Sequence, residues 1–574
     1  MLIPGLTFGG PILPHGRRYR MADMRTRWIL GFVGSATVAI VAVAAAQGRS
    51  EAPAPGGASI QPDDLQADVS FLAGDTMQGR RTGTPGNRQA AEFIASRFGR
   101  SGLTAVGVNG SYFQPFDLMT ATLGESNRIE VSGVPAVDLT FGTTYYPDPT
   151  SGTGTASGDV VFAGFGIRAD ALDHNDYRSS FALDGKVALI LNHEPGEFDA
   201  GSPFDGAIAS EHARVVRKVL AAQTAGATAV LIAPDMHNHE GPRGTTRPRR
   251  SVWPERPPRR PRYQVAGWVR DVAIPVVQIS GDLAARMVEN AGLTMRELAG
   301  AGAERVGGIA AVPLPEQHVE LTTSVHRRFH PNRNVVGLIE GEDPVLRDEW
   351  ILITAHYDHE GADGTRVFNG ADDNASGVAG LIEIAEAYRL AGLDGLRPRR
   401  SVLLAAWNSE EQGLLGAWSY TANPIHPLGQ TVAVLNMDMI GRDEEIPDGG
   451  GARFYGLTAQ TAASNRNAVN VLGYSRSPDL KRAAERANRV TGLTLRFRYD
   501  NNASNLLRRS DQWPFLHEGV PALFIHTGLH PDYHTERDRP DTVNYGKMAR
   551  VVQMVHALSW NLAQSPTRPA YLSR

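Results

Sequence analysis

The C-terminal half of the chain predicts an α/β fold with a doubly wound, mostly parallel sheet. From His330 onward, short apolar runs alternate with helical patterns, as strand-helix units do. Trp350–Ala355, Val402–Trp407, Val432–Met437 and Ala522–Ile525 each have strand length. Between the first two, Ser376–Ala391 carries Val378, Leu381, Ile382, Ala385 and Leu390 at the spacing of an amphipathic helix. No internal repeat is present.

Composition sets the outer limits. At 574 residues the chain has room for three or four units, or fewer large ones. With 42% hydrophobic and 21% charged residues it can bury a sizeable core. Its 57 Lys and Arg against 61 Asp and Glu give a net charge of −4, unlike a nucleic-acid binder. Zero cysteines exclude disulfides, thiol nucleophiles, zinc–thiolate sites and a lipid-anchored cysteine, so any metal must be held by His and carboxylates.

Residues 1–46 have the form of an export signal: Arg25 and Arg27 precede an apolar run from Trp28 to Ala46 that ends in small residues. That places the protein in the bacterial periplasm or outside the cell. The rival is an uncleaved membrane anchor, since the run approaches the ~20 residues a bilayer requires. Translation starting at Met21 or Met24 would remove the Gly/Pro-containing stretch that fits neither form. Residues 47–60 serve as a linker, Pro/Gly/Ala-rich at Glu51–Ser59.

The next segment is 61–126, in which a helical pattern dominates from Gln61 to Asp117: Ala90, Phe93, Ile94 and Phe98 recur at helix spacing and Gly102 supplies a stop. Residues 127–312 are strand-rich, with apolar runs at Val160–Phe162, Val187–Leu191, Ala229–Ile232 and Val276–Ile279 and a helix from Ala213 to Ala225 closed by Gly226. Pro242–Arg262 contains eight Arg and six Pro and is expected to be a solvated loop. Residues 313–574 form the remaining domain.

The chemistry sits just past the strands. His356-Tyr357-Asp358 follows the first, Asn408-Ser409-Glu410-Glu411 the second, Asp438 the third, and a loop ending Tyr533-His534 the fourth. Gly370-Ala371-Asp372-Asp373-Asn374 precedes the helix between the first two strands. In an open parallel sheet the ligand site lies outside the carboxyl ends of the strands, so these groups converge. Imidazole and carboxylate without sulfur suit zinc, and several carboxylates allow two ions bridged by one of them.

AHYDH (Ala355–His359), NGADDNASG (Asn369–Gly377), NSEEQGLLG (Asn408–Gly416), LNMDMIGR (Leu435–Arg442) and DYHTERDRPDTVNY (Asp532–Tyr545) occur in one order. In these stretches the chain resembles the co-catalytic two-zinc exopeptidases, the family of bacterial leucyl aminopeptidase and glutamate carboxypeptidase. Gly79-Arg80 and the helix after it resemble the family's N-terminal part. The strand-rich segment, through VVFAGFGI (Val160–Ile167) and LDGKVALIL (Leu183–Leu191), resembles an inserted protease-associated domain. The resemblance implies a phosphorylase/hydrolase-like peptidase fold and two zinc ions per chain. His356 and Asp438 would bind one ion, Glu411 and His534 the other, and Asp372 would bridge them. Glu410 would be the general base, Asp358 would hydrogen-bond the far nitrogen of His356, and Tyr533 would donate to the oxyanion. His526 and His530 would be structural or substrate-adjacent.

The implied substrates are peptides. Nucleic acid is not an expected partner, and a membrane is one only through an uncleaved N-terminal segment. An aminopeptidase is favoured by the Asp-Asp-Asn context over a carboxypeptidase, a glutaminyl cyclase or a catalytically silent receptor. A side-chain pocket is expected around Gly451–Asn505.

Overall fold

The computed structural model describes residues 53–573, except 135–137, 179–182, 198, 200, 205–209, 236–251, 254–260, 296 and 299–310. The expected signal segment, the linker as far as residue 52 and most of the stretch 242–262 lie outside the described residues.

Among the described residues the main sheet has ten strands. Eight are labelled here: β1 (Phe113–Leu123), β2 (Val325–Ile339), β3 (Trp350–His356), β4 (Ser401–Trp407), β5 (Thr431–Met437), β6 (Ala468–Leu472), β7 (Thr494–Arg496) and β8 (Ala522–His526). Their order is β1-β2-β4-β3-β5-β8-β6-β7, with Gln264–Val265 beside β1 and Thr104–Ala105 beside β2. Parallel pairing runs through β4, β3, β5 and β8. β1 and β2 instead pair antiparallel along Phe113↔Val335 to Leu123↔Val325, β2 runs antiparallel to β4, and β6 antiparallel to β8. The mostly parallel sheet expected from the sequence is therefore a mixed sheet with a parallel centre. β1 and β2 carry the chain into and out of the strand-rich segment, and an antiparallel pair needs no crossover helix.

Helices flanking this sheet include α1 (Pro62–Leu72), α2 (Pro85–Arg100), α3 (Gly377–Leu393), α4 (Leu415–Ala422), α5 (Gln512–His517) and α6 (Tyr545–Gln564), with Pro478–Ala487 beside α6. Alternation along the strands sends successive side chains to opposite faces. Ile351, Ile353 and Ala355 of β3 join the core under α1, α2, α3 and α6. Leu352 joins the core that includes Ala417 and Tyr420 of α4 and Phe515 of α5. Helices therefore cover both faces, and the carboxyl ends of the parallel strands are left to loops.

Among the described residues a second sheet has seven strands, in the order Arg128–Ser132, Val312–Thr323, Gly154–Phe162, Val187–Leu191, Ala229–Ala233, Val276–Ile279 and Tyr145–Pro147. The expected boundary at 312 falls too early. Val319 and Leu321 are buried in the core of this second sheet, so the crossing back to the main sheet comes at Ser324.

The N-terminal described residues dock on α6, where Nε2 of buried His556 lies 2.8 Å from the Pro55 carbonyl oxygen. Burial lowers the pKa of His556 from 6.5 to about 4, with the Pro55 hydrogen bond opposing it. A depressed folded-state pKa means the unfolded chain takes up the proton first, so stability present above pH 6.5 is lost as pH falls toward 4. The full effect approaches about 3 kcal/mol. Chemical denaturation of chelator-treated protein across pH 7 to 4 should therefore show a smaller acid loss in His556→Gln than in the parent. Equal losses would exclude His556 as a source of acid lability.

Candidate metal centre

Four loops and one helix approach build the site. β3 ends on His356 and β5 on Met437, just before Asp438, while Glu410 and Glu411 follow β4 by three and four residues. Three of these loops contain a non-glycine residue in the left-handed region: Ser409 (φ 64°), Met439 (φ 57°) and His534 (φ 55°). Such conformations cost on the order of 1–3 kcal/mol each and cluster where a side chain must be aimed. Beneath the loops lies Arg80, fully buried, which donates to the carbonyls of Leu72 (2.6 Å), Asn369 (2.7 Å), Gly370 (2.9 Å) and Tyr357 (3.1 Å). One guanidinium thus ties the loop after His356 to the loop before α3. Burial lowers the Arg80 pKa to about 10, opposed by Asp373 and Asp538, so it stays charged.

The donors fall into two adjoining groups. His356, Glu410 and Asp438 form one; Glu411 joins His359 and Asp373, and also Glu360 and His534. His356 Nε2 lies 3.4 Å from Asp438 Oδ1 and 3.9 Å from Glu410 Oε2. His534 Nε2 lies 3.3 Å from Glu411 Oε2. Asp373 spans both groups: its Oδ1 is 3.4 Å from His356 Nε2 and its Oδ2 is 3.0 Å from His534 Nε2.

The expected bridging role of Asp372 is corrected by this geometry. Asp372 points away: its Oδ1 accepts from Gly441 N at 2.6 Å and its Oδ2 lies 3.3 Å from His530 Nε2. The cause is the turn held by Asn374, whose amide donates to Met437 O (3.0 Å) while its oxygen accepts from Gly377 N (2.9 Å) and Met439 N (3.2 Å). Both Asp372 N and Asp373 N donate to Asp538, at 2.9 and 3.1 Å, which fixes the two side chains on opposite sides of the turn. Two adjacent aspartates offer no signal in sequence as to which will face the site.

Asp358 also differs in detail. The hydrogen bond of His356 Nδ1 runs to the Asp358 backbone oxygen at 3.2 Å, with the carboxylate at 3.7 Å. That carboxylate instead accepts from Glu410 N at 3.0 Å and Thr82 Oγ1 at 3.3 Å, so Asp358 positions both the histidine and the glutamate loop. His359 lies within the same AHYDH stretch, but no local pattern there marks it as a site residue. It is buried, with Nδ1 2.8 Å from Glu411 Oε1. His526 Nδ1 lies 3.0 Å from the Asp438 carbonyl oxygen, and His530 faces Asp372. The nearby pocket is lined by Leu506, Arg509, Phe524 and Leu529 rather than by Gly451–Asn505.

Charge balance follows from this crowding. Burial opposes protonation of His356, but Glu410 and Asp438 outweigh it and hold its pKa well above the usual imidazole value. Burial likewise opposes protonation of His534, which Glu411 and Asp373 nevertheless raise to about 10. Burial would raise Glu411 and Asp373, yet the facing histidines hold both carboxyls below their usual range. Glu410 is the exception: burial, with Asp438 and Asp511 adding to it against His356, pushes its carboxyl well up.

A cation fits this donor set. His356 Nε2, His359 Nε2 and Asp438 Oδ1 are buried without a hydrogen-bond partner. Each such orphaned group costs about 1–3 kcal/mol unless something coordinates it. Nitrogen and oxygen donors with no sulfur suit zinc.

Fold and donor set together define a candidate metal centre at the carboxyl edge of an α/β sheet. Residues 334–559 match the family model described as peptidase family M28. A probable glutamate carboxypeptidase of Zea mays is 28% identical over 278 residues, covering 46% of this chain and 34% of its own length. A probable zinc metalloprotease of Leptosphaeria maculans is 32% identical over 264 residues, covering 41% of this chain and 58% of its own. The chain thus spans about a third and about three-fifths of the length of these two curated relatives. Among solved structures, an aminopeptidase from Aneurinibacillus sp. strain AM-1 aligns over 90% of this chain and 97% of its own at 19% identity, with a TM-score of 0.43.

Proposed function

We propose that the protein is an exported zinc exopeptidase that removes N-terminal residues from peptides. The observation that carries this reading is Asp373, one carboxylate shared between two groups of histidine and acid donors, with Glu410 beside it. His356 and Asp438 would hold one zinc, Glu411 and His534 the other, and Asp373 both, with His359 steadying Glu411. When bound, such a pair of ions polarises a carbonyl and lowers the pKa of water from about 15.7 to about 7. Glu410, its side chain 10% exposed and its pKa raised, is suited to take the proton of the attacking water and return it to the departing amine. Burial pushes the Tyr533 hydroxyl well up, with nearby Asp373 adding to it, so it stays protonated and able to donate to the oxyanion. The preference for an aminopeptidase over a carboxypeptidase rests on the Asp-Asp-Asn context of Asp372–Asn374. Export rests on the sequence of residues 1–46, and the second sheet is suited to the role of a protease-associated insert.

The test is hydrolysis of free aminoacyl anilides, their N-acetylated forms and N-terminal glutaminyl peptides, before and after chelation. Turnover of the free amines that chelation abolishes and zinc restores is expected. Cyclisation of the glutaminyl peptide without hydrolysis, or turnover indifferent to chelation, would overturn the assignment.

A further inference from the structure

Arg509 has no part in the donor groups, yet it lines the same pocket as Glu410, Asp438 and Tyr533. Its position is built from both sides. Arg508 lies over the Trp513 ring at 4.2 Å, and Ser510 donates to Asp438 Oδ2 at 2.6 Å while accepting from Asn436 Nδ2 at 2.8 Å. The segment therefore runs against a metal-facing carboxylate with Arg509 held at the pocket wall. There Arg509 Nη2 donates to the Tyr533 hydroxyl oxygen at 3.1 Å. No carboxylate among the described residues pairs with Arg509.

The consequence is directional. A guanidinium has donors and no acceptor, so the phenol must accept from it and its own proton must point elsewhere. Among the described residues no acceptor takes that proton, and the Tyr533 ring is fixed by stacking on His534 at 3.8 Å between centroids. We propose that Arg509 is a positioning residue for Tyr533. It holds the phenolic oxygen so that the O–H aims into the reaction space, and its charge strengthens that donor as negative charge develops on the substrate oxygen. This rests on the exopeptidase reading above and adds to it the group that makes Tyr533 an effective donor. A charge-assisted donor of this kind, set in place before the reaction, acts without reorganisation.

A double-mutant cycle on the zinc-loaded enzyme tests it. Tyr533→Phe should lower kcat about 100-fold, the scale of losing one oxyanion donor. Arg509→Met should lower kcat at least tenfold, with KM, metal content and melting temperature unchanged and by the same factor whatever the N-terminal side chain. Arg509→Lys, which keeps a charged donor, should recover part of the loss. In the Tyr533→Phe background, Arg509→Met should cost nothing further. Effects that multiply, or a loss confined to KM on substrates with acidic side chains, would overturn the proposal and leave the exopeptidase reading standing. A zinc-loaded parent enzyme that hydrolyses none of the substrates would overturn both.

Discussion

Glu410→Gln is expected to lower kcat by about 10²–10⁴-fold, the usual contribution of a positioned proton acceptor, while zinc content stays at the level of the parent. The amide is close in size to the carboxyl, so the packing that leaves this side chain 10% exposed is retained. The backbone hydrogen bond from Glu410 N to Asp358 Oδ1, 3.0 Å, does not involve the altered group, so the loop should keep its course. What is lost is the capacity to accept a proton. Because His356 Nε2 is 3.9 Å from Glu410 but 3.4 Å from both Asp373 and Asp438, the ligand contacts of that histidine do not rest on Glu410. Metal analysis alongside steady-state kinetics separates the roles. Parental kcat with full metal would remove Glu410 from proton transfer, and a loss of kcat matched by a loss of zinc would make it a ligand.

Elements whose outcome a local pattern fixes are legible in the sequence. Val187–Leu191 and Val276–Ile279 have the strand limits expected of them, because short, mostly apolar runs bounded by polar or turn residues leave little choice of ends. His356, Glu410, Glu411, Asp438 and His534 meet at the carboxyl edge because strand ends in a parallel block converge there whatever the details of the loops. What could not be read was set by contacts between segments far apart in the chain. The antiparallel pairing of β1 with β2 joins residues 113–123 to 325–335 across the whole second sheet. The choice between Asp372 and Asp373 depends on Asn374 reaching Met437 and Met439, and on Asp538 accepting from both backbone amides. The link from Arg509 to Tyr533 is of the same kind, since nothing within the segment Leu506–Gln512 indicates which distant hydroxyl it meets.

Asp373→Asn should weaken zinc binding at both positions by more than the ~10–100-fold that loss of an outer-sphere partner costs. An amide offers one neutral oxygen where the two carboxylate oxygens lie 3.4 Å from His356 Nε2 and 3.0 Å from His534 Nε2, so neither group of donors escapes the change. The negative charge it removes also offsets two cations held close together, and that repulsion is strong in a site this deeply buried. Asp372→Asn is the decisive contrast, being the same chemical change one residue earlier in the same turn. Its Oδ1 can still accept from Gly441 N at 2.6 Å, and its partner on the other side is His530, which belongs to neither donor group. That variant should therefore keep two equivalents of zinc at saturating metal, with at most the outer-sphere loss in affinity. Isothermal titration of both chelated variants with zinc compares them directly. If Asp372→Asn lost both ions while Asp373→Asn kept them, the shared carboxylate would be Asp372, and the turn held by Asn374 would have to be reversed in the working enzyme.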